Sequence, residues 1–285
     1  MNKPVTIADL VESKRKGQKI AAVSCYDYTS ARLVAAAGVE MILVGDSAAQ
    51  IMLGHDSTLP ATMDFMVTIT AAVHRAAPNV CLTADMPFLS YHISIPQAVR
   101  NAGRFVQQAG AQLIKIEATA AHLDVIKAVS DAGMGVMAHI GIRPQSITKS
   151  GKLKAEGTTA DLAFDLITLA DAMVKAGAST LLLEGTAREV ARIITHRVPV
   201  PVISCGSGPD CDGQILIIPD LLGLLSGPAP KFSKSYADLA STTVEAISAY
   251  VNEVRSGRFP DDKHSYHIKT GQLEKLQQML ETLPF

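Results

Sequence analysis

The chain has 285 residues, 48% of them hydrophobic, with a mean hydropathy of +0.21, so it can bury a large core; with no Trp and 5% aromatics, that core is aliphatic. A net charge of -1 with scattered Lys and Arg argues against a nucleic-acid or membrane-surface partner, each of which needs a basic face. No apolar run reaches the roughly 18 residues of a spanning helix, the first residues lack a signal-peptide core, and Cys25, Cys81, Cys205 and Cys211 form no C-x-x-C pair, so a cytosolic protein without structural zinc is expected.

In chain order, Thr6-Ile-Ala-Asp9 has the form of a capping box opening a short N-terminal helix that ends near Gly17. β-type runs follow at residues 20–24, 41–44, 80–84, 112–116, 135–138, 180–183, 201–204 and 221–225. Most are continuously apolar, as strands buried on both faces of a parallel sheet are. Helical spacing fills the gaps at 30–37, 64–76, 96–108, 120–131, 160–175 and 187–196, with a further helix at 236–255. Four junctions carry an Ala-Gly pair before the next strand, at Gly38, Gly110, Gly133 and Gly177, where a helix ends in the left-handed conformation.

Eight such runs alternating with helices predict a (β/α)8 TIM barrel over 1–267, including the short N-terminal helix. A C-terminal helical extension over 268–285 follows, with Leu273, Leu276, Met279 and Leu280 at helical spacing. A doubly wound open sheet would carry a Gly-rich turn after its first strand, and here that turn reads SCYDYTSA. Two connections, SAAQIMLGHDSTLPATM and GIRPQSITKSGKLKAEGTTA, are long and lie on the strand-to-helix side, where a barrel builds its active site and its lids.

A lone Gly-Asp-Ser after a strand, as in EMILVGDSAAQ, is ordinarily a turn or a helix cap. Here it recurs as a pattern. Asp46 follows the second run, Asp85 the third, Lys115 and Glu117 belong to the fourth, His139 follows the fifth and Glu184 the sixth, while the seventh ends in Gly206-Ser207-Gly208. In a barrel these ends meet at one mouth. Four carboxylates there repel one another unless a cation joins them. With no Cys and one His among them, a hard oxygen-binding ion, Mg²⁺ before Zn²⁺, is expected. Such an ion polarises a 2-oxo acid while a spare carboxylate removes the adjacent C–H proton.

The stretches YDYTSARL, VGDS, GHDSTLPATM, ADMPF, IKIE, AHIGIRPQS, LLLEG, DGQIL, PKFSKSYA and FPDDKHSYH, in this order from about Thr6 to His267, closely resemble the ketopantoate hydroxymethyltransferase family. The resemblance implies a Mg²⁺-dependent transfer of a hydroxymethyl group from 5,10-methylenetetrahydrofolate to 3-methyl-2-oxobutanoate, an early step of pantothenate biosynthesis. It implies Asp46 and Asp85 as metal and substrate contacts, Glu117 in the metal shell, Ser47 and Lys115 on the substrate, His139 orienting it, and Glu184 as proton acceptor. It further implies a large homo-oligomer, a decamer, and assigns no folate-contacting residue. The fifth loop, TKSGKLKAEGTT, is less glycine- and aromatic-rich than the resemblance implies. Two alternatives are a Mg²⁺-dependent C–C lyase of the phosphoenolpyruvate/isocitrate lyase kind, which would need a Cys-containing motif on a flexible loop, and a non-catalytic barrel.

Overall fold

The computed structural model describes residues 3–225 and 230–284. They fall into two compact units divided after Tyr236, a division inside the span assigned to the barrel from sequence. In the first unit, eight parallel strands close into a barrel in the order β1 to β8, with β8 paired to β1. The strands are β1 Ile20–Ser24, β2 Met41–Val44, β3 Cys81–Asp85, β4 Leu113–Glu117, β5 Gly135–Gly141, β6 Thr180–Glu184, β7 Val202–Cys205 and β8 Gly213–Ile217. The helices of this unit are α1 Ile7–Arg15, α2 Tyr28–Ala36, α3 Ala48–Ile51, α4 Met63–Ala76, α5 Ile95–Ala109, α6 Leu123–Asp131, α7 Ile147–Ser150, α8 Ala160–Lys175, α9 Arg188–Arg197 and α10 Ile218–Leu222. The expected TIM barrel and N-terminal helix are therefore present.

The capping box is also as expected. Asp9 N–H donates to Thr6 Oγ1 at 3.2 Å, and Thr6 N–H donates to Asp9 Oδ2 at 2.9 Å. At the four Ala-Gly junctions, Gly38, Gly110, Gly133 and Gly177 all have positive φ. There the backbone turns from helix into strand at a conformation that a side chain would strain.

One strand is not where the sequence put it. The run at 221–225 is the end of α10 and the turn at Gly223, which closes that helix in the left-handed conformation, while Pro219 sits in its first turn. The eighth strand is the less apolar GQILI segment. Its register pairs Ile20 with Gly213 and Ser24 with Ile217. A Cβ on Gly213 would lie 2.6 Å from Ile20 O and 2.7 Å from Ile203 Cδ1, so the closing strand needs a residue without a side chain at its start. Several other strands run one residue or more beyond their last apolar residue, because the parallel ladder continues through the polar position.

Along each strand, alternate residues face the barrel interior. The lower layers are apolar: Ile20, Met41, Leu43, Leu113, Met137 and Leu182 belong to one buried cluster with Leu10 of α1. Leu10 is fully buried and, with Val5 and Ile7 packed beside it, closes the lower end of the barrel. A second, larger buried cluster fills the layer between the outer strand faces and the helices.

The second unit contains α11 Leu239–Arg255 and α12 Gln272–Glu281, the expected C-terminal helices. Within it, the Phe259 ring lies 5.7 Å from that of Tyr250 and 5.2 Å from that of His264. Among the described residues no helix is long and apolar enough to cross a membrane.

Truncating the plug tests this account of the barrel. Leu10→Ala should lower unfolding stability by about 2–5 kcal/mol, read as a lowered urea midpoint at constant slope.

Candidate active site

The upper layer of the barrel interior is polar, and register determines which polar groups become neighbours. Asp85 is level with Lys115, Glu117 with His139, Gly141 with Glu184, and Glu184 with Cys205. Lys115 and Glu117 are two apart on β4, so both point inward. Asp46 comes from the turn after β2. Its side chain caps no helix: Ser47 holds the N-cap position of α3, without a side-chain bond there. All the expected site residues line one cavity of about 290 Å³. Leu43, Leu182 and Ile215 line it from the apolar layer below.

Lys115 Nζ donates to Asp85 Oδ2 at 2.6 Å, with both side chains buried. The Asp46 backbone N–H donates to the same oxygen at 3.0 Å, tying the β2 turn to the end of β3. Ser47 Oγ lies 2.9 Å from Tyr26 Oη. His139 is buried between two carboxylates, with Nε2 3.3 Å from Glu184 Oε2 and Nδ1 3.8 Å from Glu117 Oε1. Glu184 keeps partial exposure, 21% of its side chain.

Sequence reasoning missed Gln145, which is buried on the β5 loop and bonds to two of this set, Asp46 and Glu117. Its Nε2 donates to Asp46 Oδ2 and to Met86 O, each at 2.9 Å. Its backbone N–H donates to Glu117 Oε2 at 3.0 Å, and its Oε1 accepts from Tyr91 Oη at 2.7 Å. The available signal was a polar side chain inside the motif IGIRPQS, in a loop long enough to fold back over the mouth. Ser207 was also passed over. Its Oγ donates to Leu183 O at 2.8 Å and accepts from Thr186 N–H at 3.0 Å, which fixes the backbone on both sides of Glu184.

Burial dominates the electrostatics. It raises the Asp46 carboxyl to about 7, with the Asp85 charge adding to the effect and Lys115 and Gln145 opposing it. It raises Glu117 to about 9, against the pull of Lys115 and with the Asp46 and Asp85 charges reinforcing it. Burial also works against the Lys115 ammonium, but Asp85, Asp46 and Glu117 together outweigh it and hold its pKa above the ordinary lysine value. His139 is pushed down by burial and then by Lys115, and its contact with Glu184 only partly offsets this, so its resting form is the neutral imidazole.

A hard divalent cation suits this surplus of acid. Asp85 Oδ1 is buried without a hydrogen-bond partner. A Cβ on Gly45 would stand 2.9 Å from Ser47 Oγ and 3.3 Å from Ser24 Oγ, so the bare backbone there leaves room for these two hydroxyls. Among the described residues no three His, Cys, Asp or Glu side chains gather closely enough to cage an ion. Mg²⁺ is ordinarily held by one or two carboxylates and completed by water and substrate oxygens.

The ketopantoate hydroxymethyltransferase family model matches residues 4–262. The chain belongs to that family. A relative from Hyperthermus butylicus named 3-methyl-2-oxobutanoate hydroxymethyltransferase is 46% identical, covering 97% of this chain and 95% of its own length. One of the same name from Syntrophomonas wolfei is 43% identical, covering 95% and 99%. Among solved structures, a 2,3-dimethylmalate lyase aligns with a TM-score of 0.60 at 17% identity over 99% of this chain and 98% of its own. A phosphonopyruvate hydrolase complexed with oxalate and Mg²⁺ aligns at 0.59 and 14% over 96% of each chain. These two likenesses show the fold alone, and family membership separates this chain from the lyase alternative.

The geometry yields two expected outcomes. Gln145→Leu removes the donor to Asp46 and strands Met86 O, so Mg²⁺ affinity measured by calorimetry should fall roughly 10–100-fold. Stability should fall by about 1–3 kcal/mol alongside. Without a divalent ion, unfolding stability should decline as pH rises, because the folded state holds protons that the unfolded chain releases. For Asp46 that window runs from 3.8 to about 7, and for Glu117 from 4.5 to about 9. Mg²⁺ should flatten the decline in urea titrations across this range, since it neutralises the carboxylates that the protons leave.

Proposed function

We propose that this chain transfers a hydroxymethyl group from 5,10-methylenetetrahydrofolate to 3-methyl-2-oxobutanoate, giving 2-dehydropantoate and tetrahydrofolate. The observation that carries the reading is the placement of Glu184. It is a partly exposed carboxylate at the end of β6, in one cavity with the buried Lys115–Asp85 pair and Asp46. Family membership supplies the substrate class.

Lys115 and Ser47 receive the carboxylate of the oxo acid, and the apolar side chains below, Leu43, Leu182 and Ile215, accept its branched end. Asp46 and Asp85, with Glu117 behind them, hold Mg²⁺, which when bound draws electron density from the substrate carbonyl and favours loss of the neighbouring proton. Glu184 takes the C3 proton. Neutral His139, 3.3 Å away, orients the carboxylate without neutralising it. The C3 carbon then bonds to the methylene carbon of the co-substrate. Water supplies the hydroxyl oxygen as the two carbon–nitrogen bonds to the folate break. The proton held by Glu184 and the remaining proton of that water pass to the two folate nitrogens, and the folate leaves as tetrahydrofolate.

The cysteines support this over a lyase. Cys25, Cys81 and Cys211 are buried, and Cys205 ends β7 half-buried and lining the cavity, so none stands exposed on a loop. All four are free thiols, which supports a cytoplasmic setting. Assembly into a homo-oligomer, with a decamer as the state implied by resemblance, is supported by apolar side chains exposed on α11 and α12, among them Val244, Ile247, Leu273 and Met279.

The test is exchange of the substrate C3 proton in D₂O, followed by NMR. Mg²⁺-dependent exchange is expected from wild type, and Glu184→Gln should slow it by roughly 10²–10⁴-fold. A folded wild-type protein that exchanges nothing, with folate present or absent, would overturn the reading in favour of a non-catalytic barrel.

A further inference from the structure

The co-substrate must reach a cavity that is closed below and walled by its own acidic set, so its approach is confined to the mouth. That mouth has an apolar rim. It includes Pro144 and Leu153 of the β5 loop, together with Pro230 and Phe232. Leu153 is 48% exposed and Phe232 43%, although both line the cavity over the buried charges.

Phe232 packs closely on Gly206 of the turn after β7, where a Cβ would come within 2.6 Å of Phe232 Cγ and Cδ1. Gly206 also has a positive φ, so the turn carries no side chain to displace the ring. The cavity lining therefore includes an aromatic ring as well as an aliphatic side chain, a setting suited to a flat heteroaromatic ring.

Leu153 also lines a smaller adjoining hollow, shared with Arg143, Lys152 and Lys154. Arg143 has an acidic neighbour there, Glu156 at 3.5 Å. Among the described residues, Lys149, Lys152 and Lys154 have no carboxylate within 4.0 Å. The order outward from the catalytic carboxylates is thus polar cavity, apolar rim, cationic hollow. A reduced folate has the same order of parts: the reacting methylene on a pterin ring, an aminobenzoyl link, and a glutamate tail bearing carboxylates.

Resting on the hydroxymethyl-transfer reading, we propose that the rim of Leu153 and Phe232 clasps the pterin and aminobenzoyl rings, and that Lys152 and Lys154 bind the glutamate carboxylates. The cationic hollow then favours co-substrates with more than one glutamate. The lysines lie in the fifth loop, where this sequence departs from the pattern implied by its resemblance.

Equilibrium binding of tetrahydrofolate carrying one or three glutamates, followed by ligand fluorescence, tests the assignment in wild type, Phe232→Ala and Lys152→Glu/Lys154→Glu. Each variant is first shown to keep the wild-type urea midpoint. Phe232→Ala should weaken both ligands roughly tenfold. The double charge reversal should weaken the triglutamate by roughly tenfold and the monoglutamate by less, with the difference shrinking in high salt. Wild-type binding that neither variant alters would overturn the proposal, as would a wild type that binds neither ligand. Proton exchange from the oxo acid is measured in the same wild-type sample. Folate binding without exchange sinks the transferase chemistry and leaves the subsite standing, whereas exchange without folate binding does the reverse.

Discussion

The site depends on one ion pair, between Lys115 and Asp85. It lies almost wholly out of water, where removing the lysine would leave several carboxylates without their cation. Its geometry follows from barrel register, which sets β3 and β4 side by side with these two residues level. Asp46 joins the pair through its backbone N–H, and Glu117 sits two residues along the strand from the lysine. One ammonium therefore serves several carboxylates, and the acids around it are left incompletely compensated.

The loops divide the remaining work. The β5 connection reaches back across the mouth and uses Gln145 to hold Asp46 and Glu117 at once. The turn after β7 uses Ser207 to fix the backbone around Glu184. Asp46 and Glu117 on one side and Glu184 on the other are thus braced by different loops, with His139 between Glu117 and Glu184.

The barrel was legible because its interior code has a period of two, apolar low on the strand and charged high, as in Leu113-Ile-Lys115-Ile-Glu117. The same code places Asp85, His139 and Glu184 without any structural information. It failed at the eighth strand, where Gly213 and Gln214 interrupt the apolar signal and a more hydrophobic run lies a few residues later in α10. Composition favours the wrong segment there, and only the need for a side-chain-free residue beside Ile20 O selects the right one. Gln145 was invisible for another reason. An uncharged amide in a loop has no periodicity, and its importance comes from contacts with residues 28 to 99 positions away. The rim at Phe232 is likewise defined by a distant turn.

Closure of the barrel between its first and last strands has a consequence for how the molecule is made. Residues 20–24 find their partners at 213–217, and Lys14 ties to Asp212 and to the Thr195 carbonyl. A nascent chain leaving the ribosome therefore carries its first strand with an unpaired edge until residues 213–217, the strand that covers that edge, have emerged. Until then the sheet is open and its hydrogen-bonding groups remain available to any neighbouring chain. The lysine at the end of α1 and the aspartate before β8 form a clasp that comes together only once both have been made. Slowing or truncating synthesis before that point leaves a sheet that can add strands from elsewhere.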